Sequence, residues 1–172
     1  MKKSGILYVC WGIMLLSVIL TGIVCGVDAA EMNQKEAVAC AAGDEKDTEG
    51  VVALTQAEKS LLARLVSAEC QGEPYLCRVA AAAVVLNRVK ADGFPSSVVN
   101  VIFSVGAFSS VEKGELGQNM TDEDLQVSLE AVCQAAGGED PTGGALYFAR
   151  EDDVRAEGIS VTFRAGGMVF GW

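Results

Sequence analysis

The chain has 172 residues, of which 51% are hydrophobic, and its formal net charge is −10. The acidic balance argues against a nucleic-acid partner, because phosphate binding needs clustered Lys and Arg side chains. The absence of histidine excludes Ser–His and Cys–His triads and the His-Glu-x-x-His zinc site, and no Gly-rich phosphate loop occurs, so we expect neither a metal nor a cofactor.

The N-terminus has the pattern of an export segment. Lys2 and Lys3 precede Ile6–Val27, which contains no charged residue, and the first acidic residue is Asp28. A helix over the apolar run would cross the roughly 30 Å hydrocarbon layer of a membrane. Residues 1–27 are therefore predicted to be a cleaved signal peptide or, slightly favoured by the length of the run, a membrane anchor. Both alternatives place the remainder outside the membrane, either anchored or secreted.

Residues 28–53 are rich in Ala, Asp, Glu and Lys and show no sustained apolar periodicity. This composition predicts an acidic flexible tether. Thr55 and Glu58 then form a capping box, which marks the start of a helix that ends before Gly72. We therefore predict a folded domain over residues 54–172.

Three more helices are predicted in this domain. Pro74 suits the first turn of one whose segment Val79–Leu86 is apolar nearly all round, which is typical of a central, buried helix. Ser97 caps a short helix, and Thr121 begins a longer one that ends at Gly137.

The rest of the domain lacks helical periodicity. Residues 104–120 contain three glycines and predict short strands or an ordered loop, and Asp140–Gly144 is a strong turn signal. Residues 145–148, 159–163 and 168–170 are short β-like runs, the last two forming a hairpin. The predicted fold class is α+β, mainly helical with a small β-sheet.

Glu69 is the candidate catalytic residue. Leu62, Val66 and Glu69 lie on one helical stripe, so the carboxyl group is placed on the apolar face. Partial desolvation favours the protonated form that a general acid needs. Periodicity alone favours the alternative, in which Glu69 lies at a helix end and faces solvent. Glu73 follows where the backbone leaves the helix, and we interpret it as a rim residue.

The six cysteines show no zinc-ligand spacing and no Cys-x-x-Cys. Cys70 and Cys77 flank a predicted turn, and an extracytoplasmic location permits disulfides. The sequence leaves two alternatives for this pair, a disulfide or two free thiols.

At this point the sequence resembles the spore cortex-lytic enzyme family, the cell wall hydrolases of the SleB and CwlJ type. The resemblance covers roughly residues 54–172 and keeps the order and spacing of its motifs. The segments that carry it are 61–69, 72–75, 79–80, 83–89, 94–95, 101–103, 108–109 with Val111 and Gly114, and 140–148.

The resemblance implies a lysozyme-like domain that cleaves the glycan strands of peptidoglycan, with Glu69 as the catalytic glutamate. Members of this group resemble lytic transglycosylases, in which one carboxyl group acts first as acid and then as base. A scheme with water and two carboxylates would instead need a second acid. Glu112, Glu115 and Asp140 are the candidates for it.

The resemblance also suggests that Phe108, Ser109 and Tyr147 line a substrate cleft, with core packing as the alternative for the two rings. The chain departs from the family pattern in two places. Met168 stands where the family commonly has a histidine, and cysteines occupy positions 70 and 77, where small residues are usual.

Two other functions remain open from the sequence alone. The departures favour a non-catalytic peptidoglycan-binding module, and the acidic tether favours a membrane-tethered interaction protein. The expected location in every case is extracytoplasmic, at the cell wall or the spore envelope.

Overall fold

The computed structural model describes residues 51–172. The predicted export segment, and the tether up to residue 50, lie outside these residues and stay predictions. Within residues 51–172, no helix is both long enough and apolar enough to cross a membrane.

The described part of the chain folds into five α-helices, one 3-10 helix and a three-stranded sheet. In chain order they are α1 (Gln56–Glu69), α2 (Tyr75–Lys90), α3 (Val98–Ile102), α4 (Ser109–Glu112), α5 (Asp122–Ala136), β1 (Tyr147–Arg150), the 3-10 helix (Val154–Gly158), β2 (Val161–Ala165) and β3 (Met168–Gly171). The α+β class, mainly helical with a small sheet, is therefore confirmed.

The predicted helix starts are confirmed by their caps. The Thr55 hydroxyl accepts a hydrogen bond from the Glu58 amide at 3.3 Å, and the Glu58 carboxylate accepts one from the Thr55 amide at 2.9 Å. The Ser97 hydroxyl caps α3 by accepting from the Asn100 amide, and the Thr121 hydroxyl caps α5 by accepting from the Asp124 amide. Each cap provides an acceptor for an amide that has no partner within its helix.

Helix α2 is the centre of the helical core. Every residue from Cys77 to Leu86 is buried, and the helix packs mainly against α5, which in turn packs against α1. Its middle is made of four consecutive alanines, Ala80–Ala83, all of them buried. The sequence prediction of a central, buried helix is confirmed.

The segment 104–120 differs from its prediction. It contains the one-turn helix α4, where short strands or a loop were expected. One turn is too short to show helical periodicity, and the amide of Ser110 bonds to a distant carboxylate instead of a local partner. The 3-10 helix after β1 was also not predicted, for the same reason of length.

The sheet has the strand order β1-β3-β2, and both pairings are antiparallel. Strands β2 and β3 form the predicted hairpin, with Gly166 in the turn at a φ of 57°. A stack of rings from Phe108, Phe148 and Phe170, with centroids 5.9 and 5.8 Å apart, packs the sheet onto the core. Strand β1 is therefore held beside the C-terminal part of α2.

The turn before β1 is ordered by Asp140. Its carboxylate accepts hydrogen bonds from the Thr142 amide at 2.8 Å, the Thr142 hydroxyl at 2.6 Å, the Gly144 amide at 2.7 Å and the Asn87 side chain at 2.9 Å. Desolvation raises the pKa of Asp140, but the hydrogen bonds from Thr142, Asn87 and Gly144 outweigh it and lower the pKa below its ordinary value. The ionised carboxylate thus links the turn to α2.

We expect Asp140→Asn to lower the free energy of unfolding at pH 7 by about 1–3 kcal/mol, because an amide places a donor opposite donors. A depressed pKa in the folded state stabilises the fold above the unfolded-state pKa, and that stability is lost as the pH falls through the folded-state pKa. The difference between wild type and variant should therefore shrink below the ordinary Asp value of 3.8. Urea unfolding followed by circular dichroism at pH 7 and pH 3 measures this. Exposed Asp92→Asn is the control, and a difference that stays constant with pH would contradict the account.

Candidate active site

Glu69 is the last residue of α1 and is half-buried. Its Oε1 atom accepts a hydrogen bond of 3.0 Å from the amide of Ser110 in α4. Leu62 and Val66 on the same stripe are buried in the core. Glu69 is thus placed at the edge of the core, where the stripe reaches a cavity, and its carboxyl group is oriented by one backbone donor.

The first cavity, which we name the acid cavity, has a volume of about 240 Å³ and contains Glu69. It is bordered by the end of α1, the region of α4, strand β1 and the start of the 3-10 helix. Its charged lining residues are Glu69, Arg88, Lys113, Glu115, Arg150, Asp153 and Arg155.

A second cavity of about 610 Å³, the aromatic cavity, adjoins it. The two cavities share Arg88, Ala107, Phe148 and Arg155 in their linings, so they form one groove. The ring-bearing residues of the aromatic cavity are Phe94, Tyr147, Phe148 and Trp172. An open groove with rings along it and a carboxyl group at one end can hold an elongated ligand beside an acid.

Arg88, near the end of α2, lies where the two cavities meet. Its guanidinium carbon is 5.5, 5.0 and 5.4 Å from the ring centroids of Phe94, Phe108 and Tyr147, and its Nε donates a 2.6 Å hydrogen bond to the Leu146 carbonyl. Burial lowers the pKa of Arg88 from its ordinary value. The side chain is therefore held in a fixed orientation at the centre of the groove.

Arg155 and Asp153 form an ion pair in the lining of the acid cavity. Arg155 donates from Nε at 3.1 Å and from Nη2 at 2.7 Å to the same Asp153 oxygen. Hydrogen bonds from the Arg155 side chain and backbone lower the pKa of Asp153 to about 2. Asp153 is therefore a carboxylate at neutral pH and has no proton to donate.

Three of the residues predicted to bind substrate lie in the groove lining. Tyr147 is 45% exposed and lines the aromatic cavity, whereas Phe108 is buried beneath Arg88 and reaches the acid cavity. Ser109 also lines the acid cavity. The position of Phe108 combines the two alternatives, because its ring packs in the core and borders the groove.

Glu73 was expected at the rim of the site, but it makes internal contacts instead. Its side chain is only 8% exposed and lines neither cavity. It accepts a 2.8 Å hydrogen bond from the Gly167 amide and pairs with Arg150 at 3.2 Å. A Cβ atom at Gly166 would come within 2.1 Å of the Glu73 carboxylate, so this contact needs glycine there. Glu73 therefore joins the α1–α2 turn to the β2–β3 turn and orients Arg150, which lines the acid cavity.

One of the three candidates for a second acid lies in the lining of the acid cavity. Glu115 lines the acid cavity together with Glu69, whereas Glu112 and Asp140 line neither cavity. Each carboxylate oxygen of Asp140 already accepts two hydrogen bonds, from Thr142 on one side and from Gly144 and Asn87 on the other. Glu115 is thus the candidate that remains beside Glu69.

Sequence reasoning missed Arg88, Ser110 and Arg155 as site residues. Ser110 is buried, and its hydroxyl has no hydrogen-bond partner in the described part of the chain. Met168 takes the position of the absent histidine, is 2% exposed and borders the acid cavity. The sequence contains one signal for Arg88. This arginine follows a long apolar run in a helix predicted to be buried, and charged side chains are rarely buried unless they are paired.

Cys70 and Cys77 are fully buried, and their Sγ atoms are 3.5 Å apart as free thiols. A disulfide requires about 2.05 Å. The hydrogen bond with the Cys77 thiol and desolvation raise the pKa of Cys70 well above its ordinary value. Cys70 follows Glu69 directly, so this pair packs under the end of α1.

A model of the cell wall hydrolase family matches residues 72–170, which is more than half of the chain. The chain belongs to this family. Glu69 lies just before the matched segment, so its position in the groove is an observation independent of that match.

Members of the family with similar sequences include spore cortex-lytic enzymes. The Bacillus cereus protein is 41% identical over 105 residues, which are 61% of this chain and 39% of that protein. The Halalkalibacterium halodurans protein is 39% identical over 108 residues, 63% of this chain and 32% of that protein. The Bacillus subtilis protein is 42% identical over 99 residues, which are 58% of this chain and 31% of that protein. The chain thus matches two fifths or less of the length of these curated relatives.

Solved structures of the family have the same fold. The catalytic domain of the Bacillus cereus SleB protein is 34% identical, with a TM-score of 0.61, and the match covers 74% of this chain and 99% of that one. The catalytic domain of the germination-specific lytic transglycosylase SleB from Bacillus anthracis gives the same score and identity over 69% and 97% of the two chains. The described fold is therefore similar to that of the SleB catalytic domains.

We expect neither Cys70 nor Cys77 to react with iodoacetamide in the native protein at pH 7, because both thiols are buried and only a thiolate is nucleophilic. Both should be alkylated in urea without a reductant. Mass spectrometry of the tryptic peptide 65–78, which carries both cysteines, measures this. A Cys77→Ala variant should take up one label in urea and serves as the control. A peptide that resists labelling in urea until a reductant is added would show a disulfide and contradict the free pair.

Proposed function

We propose that this protein cleaves the glycan strand of peptidoglycan, with Glu69 as the catalytic residue. The observation that carries the proposal is a half-buried carboxyl group at one end of a groove lined by rings, oriented by the Ser110 amide. Membership of the cell wall hydrolase family and the names of the relatives support the same substrate class.

The reaction that we propose is lytic transglycosylation. Glu69 protonates the glycosidic oxygen, the bond from that oxygen to C1 of muramic acid breaks, and the next sugar leaves with a free hydroxyl. The Glu69 carboxylate then accepts the proton of the muramic acid 6-hydroxyl as the 6-oxygen bonds to C1 and closes a 1,6-anhydro ring. One carboxyl group thus donates a proton and recovers one, and no water is consumed. The hydrogen bond from Ser110 stabilises the carboxylate form that exists between the two steps.

The surroundings of Glu69 support a single-acid scheme. Asp153 also lines the acid cavity, but the hydrogen bonds from Arg155 lower its pKa to about 2, which makes it a weak base for activating water. Glu115 is exposed, and in a two-carboxylate scheme it would be the residue that activates water. A test of Glu115 therefore separates the two schemes.

A peptidoglycan-binding module without activity is the second candidate function. The observation that favours it is Met168, which borders the acid cavity in place of the histidine that the family commonly has. A buried thioether neither donates a proton nor carries charge. Such a module would bind the wall through the groove and release no fragments.

We place this activity outside the cytoplasmic membrane, at the cell wall or the spore envelope. The predicted export segment in residues 1–27 supports this location, with residues 28–53 as a tether to the domain. The relatives named spore cortex-lytic enzymes favour cortex peptidoglycan as the substrate.

We expect Glu69→Gln to lower the rate of fragment release from purified peptidoglycan by at least about 100-fold, because general acid–base catalysis typically supplies that much or more. Glutamine keeps the shape and the acceptor for the Ser110 amide but cannot transfer the proton. Mass spectrometry of the released fragments gives the rate and the bond cleaved, and exposed Glu157→Gln is the control for charge removal.

We expect the wild type to release products that are lighter by one water than hydrolysis products. We also expect Glu115→Gln to retain activity. Equal release by wild type and Glu69→Gln would refute the catalytic role of Glu69. Products of full mass, together with loss of activity in Glu115→Gln, would replace transglycosylation by the two-carboxylate scheme. Sedimentation with peptidoglycan without any fragment release would support the binding module.

A further inference from the structure

Helix α2 carries two buried arginines that differ in their partners. Arg78 is 7% exposed and is neutralised, because it bonds to the Asp124 carboxylate at 3.2 Å and to the Ser128 hydroxyl at 2.6 Å. Arg88 is 6% exposed, yet within residues 51–172 its guanidinium contacts no carboxylate. Buried arginines are normally paired with an anion, so Arg88 is the exception on this helix.

The two Nη atoms are the donors of Arg88 that remain free. Nε is engaged by the Leu146 carbonyl, whereas neither Nη atom donates to any group of the described residues. Arg88 lines both cavities. The two Nη groups form a planar pair of parallel donors, a geometry that matches the two oxygens of a carboxylate.

The charges around Arg88 agree with an anionic ligand. Although the chain has a net charge of −10, the aromatic cavity is lined by two arginines and by no acidic residue among the described ones. The second of them, Arg155, is already neutralised by Asp153. The charge of Arg88 is therefore the one left uncompensated in the described lining of the aromatic cavity. The rings of Phe94, Phe108 and Tyr147 hold the guanidinium in place, and cation–π contacts stabilise it in the absence of a carboxylate.

We propose that Arg88 binds a carboxylate of the substrate at the junction of the two cavities and thereby sets which muramic acid residue lies next to Glu69. This inference rests on the proposed action on peptidoglycan. Two groups of that polymer have the required chemistry. They are the lactyl carboxylate of a muramic acid without a stem peptide and the carboxylates of the stem peptide itself.

The test compares pairs of ligands in which one member has a carboxylate and the other has that group neutralised. NMR titration of the full chain with N-acetylmuramic acid and with its methyl ester measures the preference for a lactyl carboxylate. Titration with N-acetylmuramoyl dipeptide and its amidated form measures the preference for a peptide carboxylate. We expect the wild type to bind one carboxylate form at least about tenfold more tightly than its neutral counterpart, and the pair that shows this preference identifies the source.

Variants of Arg88 connect the preference to this side chain. Arg88→Gln should bind the charged and the neutral ligand with equal affinity, and Arg88→Lys should retain only part of the preference, because an ammonium group lacks the parallel donors. Arg164→Gln, an exposed arginine outside the groove lining, should behave as the wild type. If Arg88 had only a structural role, its replacement would lower the affinity for the charged and the neutral ligand equally, and the ratio of the two affinities would not change. If circular dichroism shows that Arg88→Gln is unfolded, the comparison uses Arg88→Lys.

Two results would overturn the inference. One is a wild type that shows no preference for either carboxylate or binds none of the four ligands, and the other is a preference that survives in the folded Arg88 variant. These results are independent of catalysis. Fragment release without a carboxylate preference contradicts this inference alone, whereas a preference without fragment release contradicts the proposed function alone.

Discussion

The structure depends on the burial of helix α2. The polar groups of a helix enclosed by its neighbours are mostly paired, because an unpaired buried donor costs about 1–3 kcal/mol. Four polar or thiol-bearing residues of α2 each contact a different segment, and the Nη donors of Arg88 are left without a partner among residues 51–172. Cys77 contacts the end of α1, Arg78 contacts α5, Asn87 contacts the Asp140 turn, and Arg88 contacts the residue before β1. The contacts of these four side chains thus fix the relative positions of the elements that border the groove.

The groove follows from these links. The contact of Arg88 with Leu146 brings the start of β1, and with it Tyr147, beside the aromatic cavity. The end of α1 and helix α4 meet through Glu69 and the amide of Ser110. The Glu73 contact then connects the α1–α2 turn to the β2–β3 turn on the other side. The proposed catalytic and binding groups are therefore positioned by hydrogen bonds between distant segments, an arrangement that suits precise proton transfer.

The sequence predicted the parts of the fold that local rules govern. The caps at Thr55, Ser97 and Thr121, the apolar run in α2 and the β2–β3 hairpin each leave a signal within a few residues, and each is present. Helix α4 and the 3-10 helix were missed because a single turn has no periodicity. The exact strand limits also shifted, since a four-residue strand is specified by its partners across the sheet and not by its own pattern.

The candidate site was predictable to a smaller degree. Glu69 could be placed on an apolar stripe, and the family resemblance selected it, but its contact with Ser110 joins positions far apart in sequence. Arg88 and Arg155 become groove residues only through the fold. Glu73 was expected at a rim, and its internal pairing with Gly167 and Arg150 depends on how two turns meet in space. Contacts between distant segments carry no local sequence signal.

If Glu69 lies at the bond that is broken, a structure of Glu69→Gln with a bound peptidoglycan tetrasaccharide should show this contact. We expect a strand that runs through both cavities, with one glycosidic oxygen within about 3 Å of the side-chain amide at position 69. A strand bound outside the groove, or one whose glycosidic oxygens all lie beyond hydrogen-bonding distance of that side chain, would rule out the catalytic position of Glu69.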